Sequence, residues 1–183
     1  AGTGRRCRRG RPAAAYVAWC RSKYERGETY PLLTDDNREV LITSLPVRGT
    51  GGAYRLRATV SAPDGGEVRL RLGSSAGGEV TVGYDAEAGV VFLDRRRDQV
   101  ADTLPATYRQ VRVAPVDADG MLVLDMIVDA SSIEVFAGEG RASLTSAAYV
   151  DLAGGVTVEA VGAAARIRDV ALSPLAVNDP NDR

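Results

Sequence analysis

The chain has 183 residues, 45% of them apolar, enough to enclose the core of one ordinary domain with some length to spare. Its 23 basic and 24 acidic side chains leave a net charge of −1, which gives no global pull toward nucleic acid or an anionic membrane. Histidine is absent, which excludes a Ser-His-Asp triad, imidazole acid–base work and the usual histidine-rich zinc sites. Cys7 and Cys20 are the only cysteines, so four-cysteine zinc sites and multi-bridge disulfide frameworks are excluded too.

Residues 1–36 stand apart in charge, with eight basic and four acidic side chains against 15 and 20 in the remainder, so a composition boundary falls near Asp36. The segment opens on an arginine cluster, Arg5, Arg6, Arg8, Arg9 and Arg11. Arginines in such a run could each neutralise a phosphate. Lys23 is, however, the only lysine in the chain, so the arginine preference is general and the cluster reads as a solvated tail, with no nucleic-acid partner expected. The following run, "AAAYVAWC", is too short to span a bilayer and makes a poor signal peptide; no transmembrane segment is expected. Cys7 and Cys20 either bridge one another or remain thiols. "RSKYERGETYPLLTDDN" reads as polar linker.

From residue 54 the dominant period is two. "YRLRATVSA" puts Tyr54, Leu56, Ala58 and Val60 on one face; "EVRLRLG" puts Val68, Leu70 and Leu72 inward and Glu67, Arg69 and Arg71 outward, where they need solvent or cross-strand carboxylates. "APDGGE" between them supplies turn chemistry, so the two form a hairpin. The pattern continues through "EVTVGYD", "VVFLDRR", "QVRVAPV", "LVLDMIVD", "SIEVFAG", "ASLTSAAYV", "VTVEAVG" and "ARIRDVALSPL". About ten short strands separated by turn residues predict an all-β fold, a two-sheet antiparallel β-sandwich. The expected division is a poorly structured, linker-like N-terminal segment at 1–36, the sandwich at 37–176 and a tail at 177–183. A remaining apolar outer strip, with Phe92 or Phe136 in it, would call for a covering partner.

"VDASSIEVFAGEG" concentrates acids and hydroxyls: Asp129, Ser131, Ser132, Glu134 and Glu139. Asp129 and Glu134 could be paired as the two carboxylates of a glycosidase, which stand roughly 5–9 Å apart. Successive positions of a regular hairpin, however, offer no concave, water-poor pocket to raise the acid's pKa. The structural reading is a tight turn in which Asp129 and Ser131 bond backbone amides, Ile133 and Val135 point one way, Glu134 and Phe136 the other, and Gly138 and Gly140 take positive φ in the next turn.

These same residues carry a resemblance. "VDASSIEVFAGEGRASLTSAAY" resembles the signature of the C-terminal β-sandwich of glycoside hydrolase family 32, the invertases, inulinases and levanases, in which the run is commonly Val-Asp-Arg-Ser-Ser-Val-Glu-Val-Phe. Ala130 stands in place of the arginine. "VGYDAEAGVVFLDRRRD" is similar to the family's Tyr-Asp, turn, Asp-Arg element, with Asp94 and Arg95 at the matching positions and Arg96 where a hydroxyl residue is usual. The resemblance covers about residues 38–176 and implies that Asp94, Arg95, Asp129, Ser131, Ser132, Glu134 and Phe136 are signature residues of structural weight, with no catalytic residue, metal or cofactor in this chain.

It also implies that catalysis belongs to a separate β-propeller carrying Trp-Met-Asn-Asp-Pro-Asn-Gly, Arg-Asp-Pro and Glu-Cys-Pro elements. The last two are absent here. "VNDPNDR" echoes the first with Asn178, Asp179, Pro180 and Asn181, but it follows the last strand and lacks the aromatic residue, the glycine and partner carboxylates. "GRPAAAYVAW" is loosely similar to the propeller's last strand. The expected function is thus a non-catalytic sandwich stabilising the propeller of a sucrose- or fructan-processing enzyme, with the propeller as partner, fructan or sucrose as a further one, and a homodimer as an option. The alternative is a stand-alone fructan-binding module using Tyr54, Tyr84, Tyr108 or Tyr149 as stacking platforms, since Trp19 lies outside the sandwich.

Overall fold

A computed structural model describes residues 29–30, 32–33, 39–40, 42–45, 53–74, 77–129, 131–149 and 155–175, the backbone alone up to residue 45. The arginine cluster, Cys7, Cys20, Trp19, Ala130 and the tail at 177–183 lie outside these residues.

Every one of the ten alternating segments is a strand: β5 (Tyr54–Ser61), β6 (Glu67–Ser74), β7 (Gly78–Asp85), β8 (Val90–Arg97), β9 (Arg112–Pro115), β10 (Leu122–Val128), β11 (Ser132–Ala137), β12 (Ala142–Ala147), β13 (Val156–Val161) and β14 (Ala165–Pro174). Four short strands precede them: β1 (Thr29–Tyr30), β2 (Leu32–Leu33), β3 (Glu39–Val40) and β4 (Ile42–Leu45). The first sheet runs β1-β13-β6-β7-β8-β9, with β4 sharing the free edge of β13 beside β1; the second runs β12-β11-β10-β5-β14-β2-β3. Pairing is antiparallel except between β14 and β2. Among the described residues the only helical elements are single 3-10 turns at Ala101–Thr103 and Ala106–Arg109, and no helix is long and apolar enough to cross a membrane.

Thr29–Tyr30 and Leu32–Leu33, which composition assigns to the linker, are hydrogen-bonded into the sandwich. Thr29 and Tyr30 pair with Val161 and Ala160 in one sheet, and Leu32 and Leu33 with Ala165 and Arg166 in the other. Two-residue strands have no periodicity to read; the edges of β13 and β14 dictate them.

The core is what period two prescribes. Leu56, Leu70, Leu72, Leu122, Leu124 and Met126, all fully buried, meet between the sheets, and each such side chain stabilises the fold by about 1.5–3 kcal/mol. β14 departs from regular pairing between Arg168 and Ala171, where Asp169 takes φ 53. That is a bulge in the left-handed region, which Asp tolerates better than most residues.

The outer faces differ from each other. On the second sheet Arg55 and Asp125 are diagonal neighbours and meet through Arg55 Nε at 2.8 Å, the guanidinium holding the Asp125 carboxyl below the usual carboxylate range. The face of the first sheet that needs solvent or cross-strand carboxylates is buried at Glu67 and Arg69 and half-buried at Arg71, which finds its carboxylate across the strands. Glu67 is 4% exposed and Arg69 9%, with Arg69 Nε donating to Glu67 at 2.9 Å; Arg71 Nη2 donates to Glu159 of β13 at 3.1 Å. Alternation tells which residues share a face and nothing about whether that face is covered. Burial is tolerable here because each guanidinium has a carboxylate.

Phe92, expected on an uncovered strip, is also buried on this face. Its ring lies over Gly83, its register partner on β7, and a Cβ built on Gly83 would collide with three ring carbons, Cζ closest and Cε1 and Cε2 at 2.7 Å. Gly83→Ala is therefore expected to destabilise the fold by about 1–3 kcal/mol in urea denaturation. Coupling with Phe92→Leu, which removes the obstructing ring, should recover part of that loss.

Tyr54 is wholly buried, and its hydroxyl has no hydrogen-bond partner among the described residues. Burial pushes this phenol well above its usual range. Below about pH 10 the group is neutral in both states. Above that the unfolded chain loses the proton while the native state keeps it, so stability falls as pH rises. Tyr54→Phe is expected to raise the unfolding free energy by about 1 kcal/mol at neutral pH and to lessen the alkaline loss, both read from urea midpoints across pH. A lower midpoint at neutral pH would show that the hydroxyl is satisfied.

Candidate functional site

The signature residues divide between a turn, a strand and a sheet corner. In the turn between β10 and β11, exposed Asp129 donates its amide to the Ser132 carbonyl at 2.9 Å, and the Ser131 carbonyl accepts from the Ala148 amide at 3.0 Å. Along β11, Ile133 and Val135 enter the core, while Glu134 and Phe136 face outward, Glu134 opposite Ile127 and Thr145, Phe136 opposite Asp125 and Ser143. The next turn holds Gly138 at φ 60, Glu139 at φ 59 and Gly140 at φ 85. Asp129 is thus exposed at a turn and Glu134 half-buried on the outer face of the sheet, surroundings unlike the enclosed, water-poor ones in which a carboxyl acts as a proton donor.

The second signature element closes a corner of the sandwich. Asp94 accepts four hydrogen bonds from Arg96, from its amide at 3.0 Å, Nε at 2.9 and 3.1 Å and Nη2 at 2.7 Å, so Arg96 fills its unusual place by holding the carboxylate two residues before it. Arg95 turns inward at the end of β8 and pairs with Asp98, Nη2 to Oδ2 at 2.8 Å, both side chains almost wholly buried. The same Oδ2 accepts from the Tyr149 amide at 3.0 Å, and Oδ1 from the Val100 amide at 2.9 Å. The Gln99 amide donates to the Tyr149 carbonyl at 3.2 Å, and the Gln99 side chain reaches the Gly77 carbonyl. The end of β8 in one sheet is thereby fastened to the chain leaving β12 in the other. Gly78, at φ 87, lets β7 start against this knot: a Cβ there would lie 2.7 Å from the Gln99 nitrogen.

Asp98 and Gln99 were not singled out from the sequence. The charge run "DRRRDQ" was visible, yet an Arg–Asp pair three apart around a strand end carries no period, and its third partner is some fifty residues away.

The four tyrosines separate cleanly. Tyr54 and Tyr84, at 0% and 5% exposure, are core residues and present no ring to a ligand; their place on the inward face of β5 and β7 decides this. Tyr108 and Tyr149, at 59% and 42%, are exposed, and both adjoin the connection from β8 to β9, Tyr108 in its second 3-10 turn and Tyr149 through its bonds to Asp98 and Gln99. Among the described residues no three His, Cys, Asp or Glu side chains are grouped to hold a metal ion.

Residues 23–174 match the sequence profile of the C-terminal domain of glycosyl hydrolases family 32. The chain belongs to that family. This family 32 domain is 31% identical over 106 residues to a levanase of Bacillus sp. strain L7, a match covering 56% of this chain and 11% of the levanase. It is 31% identical over 102 residues to an extracellular exo-inulinase of Aspergillus ficuum, covering 53% of this chain and 19% of the enzyme. The crystal structure of an exo-inulinase from Aspergillus awamori superposes with a TM-score of 0.56 at 25% identity, over 72% of this chain and 25% of that one. A fructosyltransferase from A. japonicus shares the fold, at a TM-score of 0.58 and 18% identity, over 78% of this chain and 26% of that one. The family 32 domain thus spans a small fraction of the relatives it matches.

Asp98→Ala leaves the Arg95 charge buried without its counter-ion and is expected to cost about 3–5 kcal/mol in urea denaturation. Asp98→Asn, which keeps an acceptor for the Tyr149 amide, should cost less. Equal losses in the two variants would mean that the link to Tyr149 contributes nothing.

Proposed function

We propose that this family 32 domain is the non-catalytic packing partner of a catalytic β-propeller in an enzyme that hydrolyses fructan or sucrose, with the residues before the matched stretch leading in from the propeller. The observation that carries the reading is the profile match over 23–174 to the family's C-terminal domain. The names of its relatives, a levanase and an exo-inulinase, supply the substrate class. The placement of Asp129 and Glu134 on a turn and an outer face supports a structural role for the signature, and the knot at Arg95 and Asp98 gives that role a mechanism. Phe136, 36% exposed on the outer face of the second sheet, with half-buried Val123 and Ile127 beside it on β10, offers the propeller an apolar strip to cover.

A second reading, direct fructan binding, is favoured by the exposure of Tyr108 and Tyr149 at the same connection. The purified chain is expected to leave sucrose, levan and inulin unhydrolysed and to raise the melting temperature of the parent enzyme's separately produced propeller by several degrees. Phe136→Asp should abolish that rise. Turnover by the chain alone, or a propeller indifferent to it, would overturn the packing role. Saturable heat on titration with levan or inulin, lost in Tyr108→Ala and Tyr149→Ala, would establish the second reading.

A further inference from the structure

The chain holds two methionines, and β10 puts them in opposite surroundings. Met126 lies on the inward face of the strand and is fully buried in the core. Met121, just ahead of the strand and of opposite parity, belongs to the outer side and is 50% exposed. Val123, two residues on, pairs with Thr59 of β5, and Thr59 pairs with Arg168 of β14, so Met121 and Arg168 lie diagonally across β5 from one another. Their side chains meet: Arg168 Nη2 donates to the Met121 sulfur.

The bulge in β14 accounts for that meeting. Pairing with β5 shifts between Arg168 and Ala171, with Asp169 at φ 53, and a bulge of this kind bends its strand and re-aims the side chain beside it. Asp169 Oδ2 then stands 3.5 Å from Arg168 Nε. That Nε is closed off from water and makes no hydrogen bond among the described residues. The guanidinium therefore brings a full charge and a spare N–H to a thioether, which is a weak acceptor. An oxygen on that sulfur would satisfy the donor far better.

We propose that Met121 is an oxidation site, converted to the sulfoxide by hydrogen peroxide, and that Arg168 holds the oxygen of the product. A lone pair on the sulfur attacks one peroxide oxygen and the O–O bond breaks. The sulfur, oxidised by two electrons, keeps that oxygen; its proton passes to the departing hydroxide, and the peroxide is reduced to water. A sulfoxide inside an apolar core disrupts packing, which is what oxidation of Met126 would do. At Met121 the new oxygen instead meets a cation, so the modification adds a hydrogen bond between the start of β10 and β14. This site does not rest on the packing role proposed above, because it uses only the exposure of the chain itself.

The test takes the full chain, with Cys7 and Cys20 reduced and alkylated so that they take up no oxygen, and treats it with hydrogen peroxide. Fragmentation in the mass spectrometer then assigns each added oxygen to a residue. Met121 is expected to oxidise about tenfold faster than Met126 or more, and the two at equal rates once urea has unfolded the chain. Oxidation at Met121 should raise the melting temperature of the wild-type chain by roughly 2–4 °C and give no rise in Arg168→Ala. Arg168→Lys, which keeps a cationic donor, should retain part of the rise. Each variant is compared with its own reduced form, so any loss caused by the substitution itself cancels. Equal rates at the two methionines of the folded chain, or an oxidation shift in Arg168→Ala equal to that of the wild type, would overturn the proposal.

Discussion

Two layers of β-sheet hold together because each strand spends every second residue on one shared apolar space. Valine, leucine and isoleucine at alternate positions of β5 through β14 remove their side chains from water only if the sheets lie face to face, and the turns between strands are short enough to leave little other choice. Slipping any strand by one residue would send its leucines outward and bring charges such as Arg57 or Asp125 into that space. The register is therefore fixed by burial before any specific polar contact forms, and the polar contacts act on a framework already set.

What those contacts add is attachment between the layers. Apolar burial is indifferent to direction, so two sheets could still slide over one another at their margins. The Asp98 carboxylate, shared among Arg95, Val100 and Tyr149, ties the last turn of the first sheet to the chain leaving the last strand of the second. A carboxylate so placed is costly to desolvate, and it is retained where three donors converge on it. Within the Asp-Arg signature the arginine supplies the charge that lets an aspartate three residues later live inside the protein.

The strands themselves were legible because period two is imposed by the pleat and appears in the letters, and the turn glycines at 138 and 140 were legible because positive φ has few other tenants. Three kinds of feature were not. The two-residue strands at 29–33 have no pattern of their own and exist through the edges they meet. The wetness of the Glu67, Arg69 and Arg71 face depends on what lies across it, which alternation along one strand cannot encode. Tyr54 had the period of a core residue and the chemistry of a sugar platform, and only its depth settles between them. Asp98 shows a fourth limit, since a contact linking residues 95, 98 and 149 belongs to the tertiary structure.

The chain enters the sandwich by an unusual path. Thr29 and Tyr30 bond to one sheet, and Leu32 and Leu33, past the single residue Pro31, bond to the other. A load entering at Thr29 would therefore meet both layers within a few residues. A tug from upstream would be divided between β13 and β14 as a mechanical load, and a rotation there would shear one sheet across the other. The pairings on either side of Pro31 thus give the two sheets a common point of attachment.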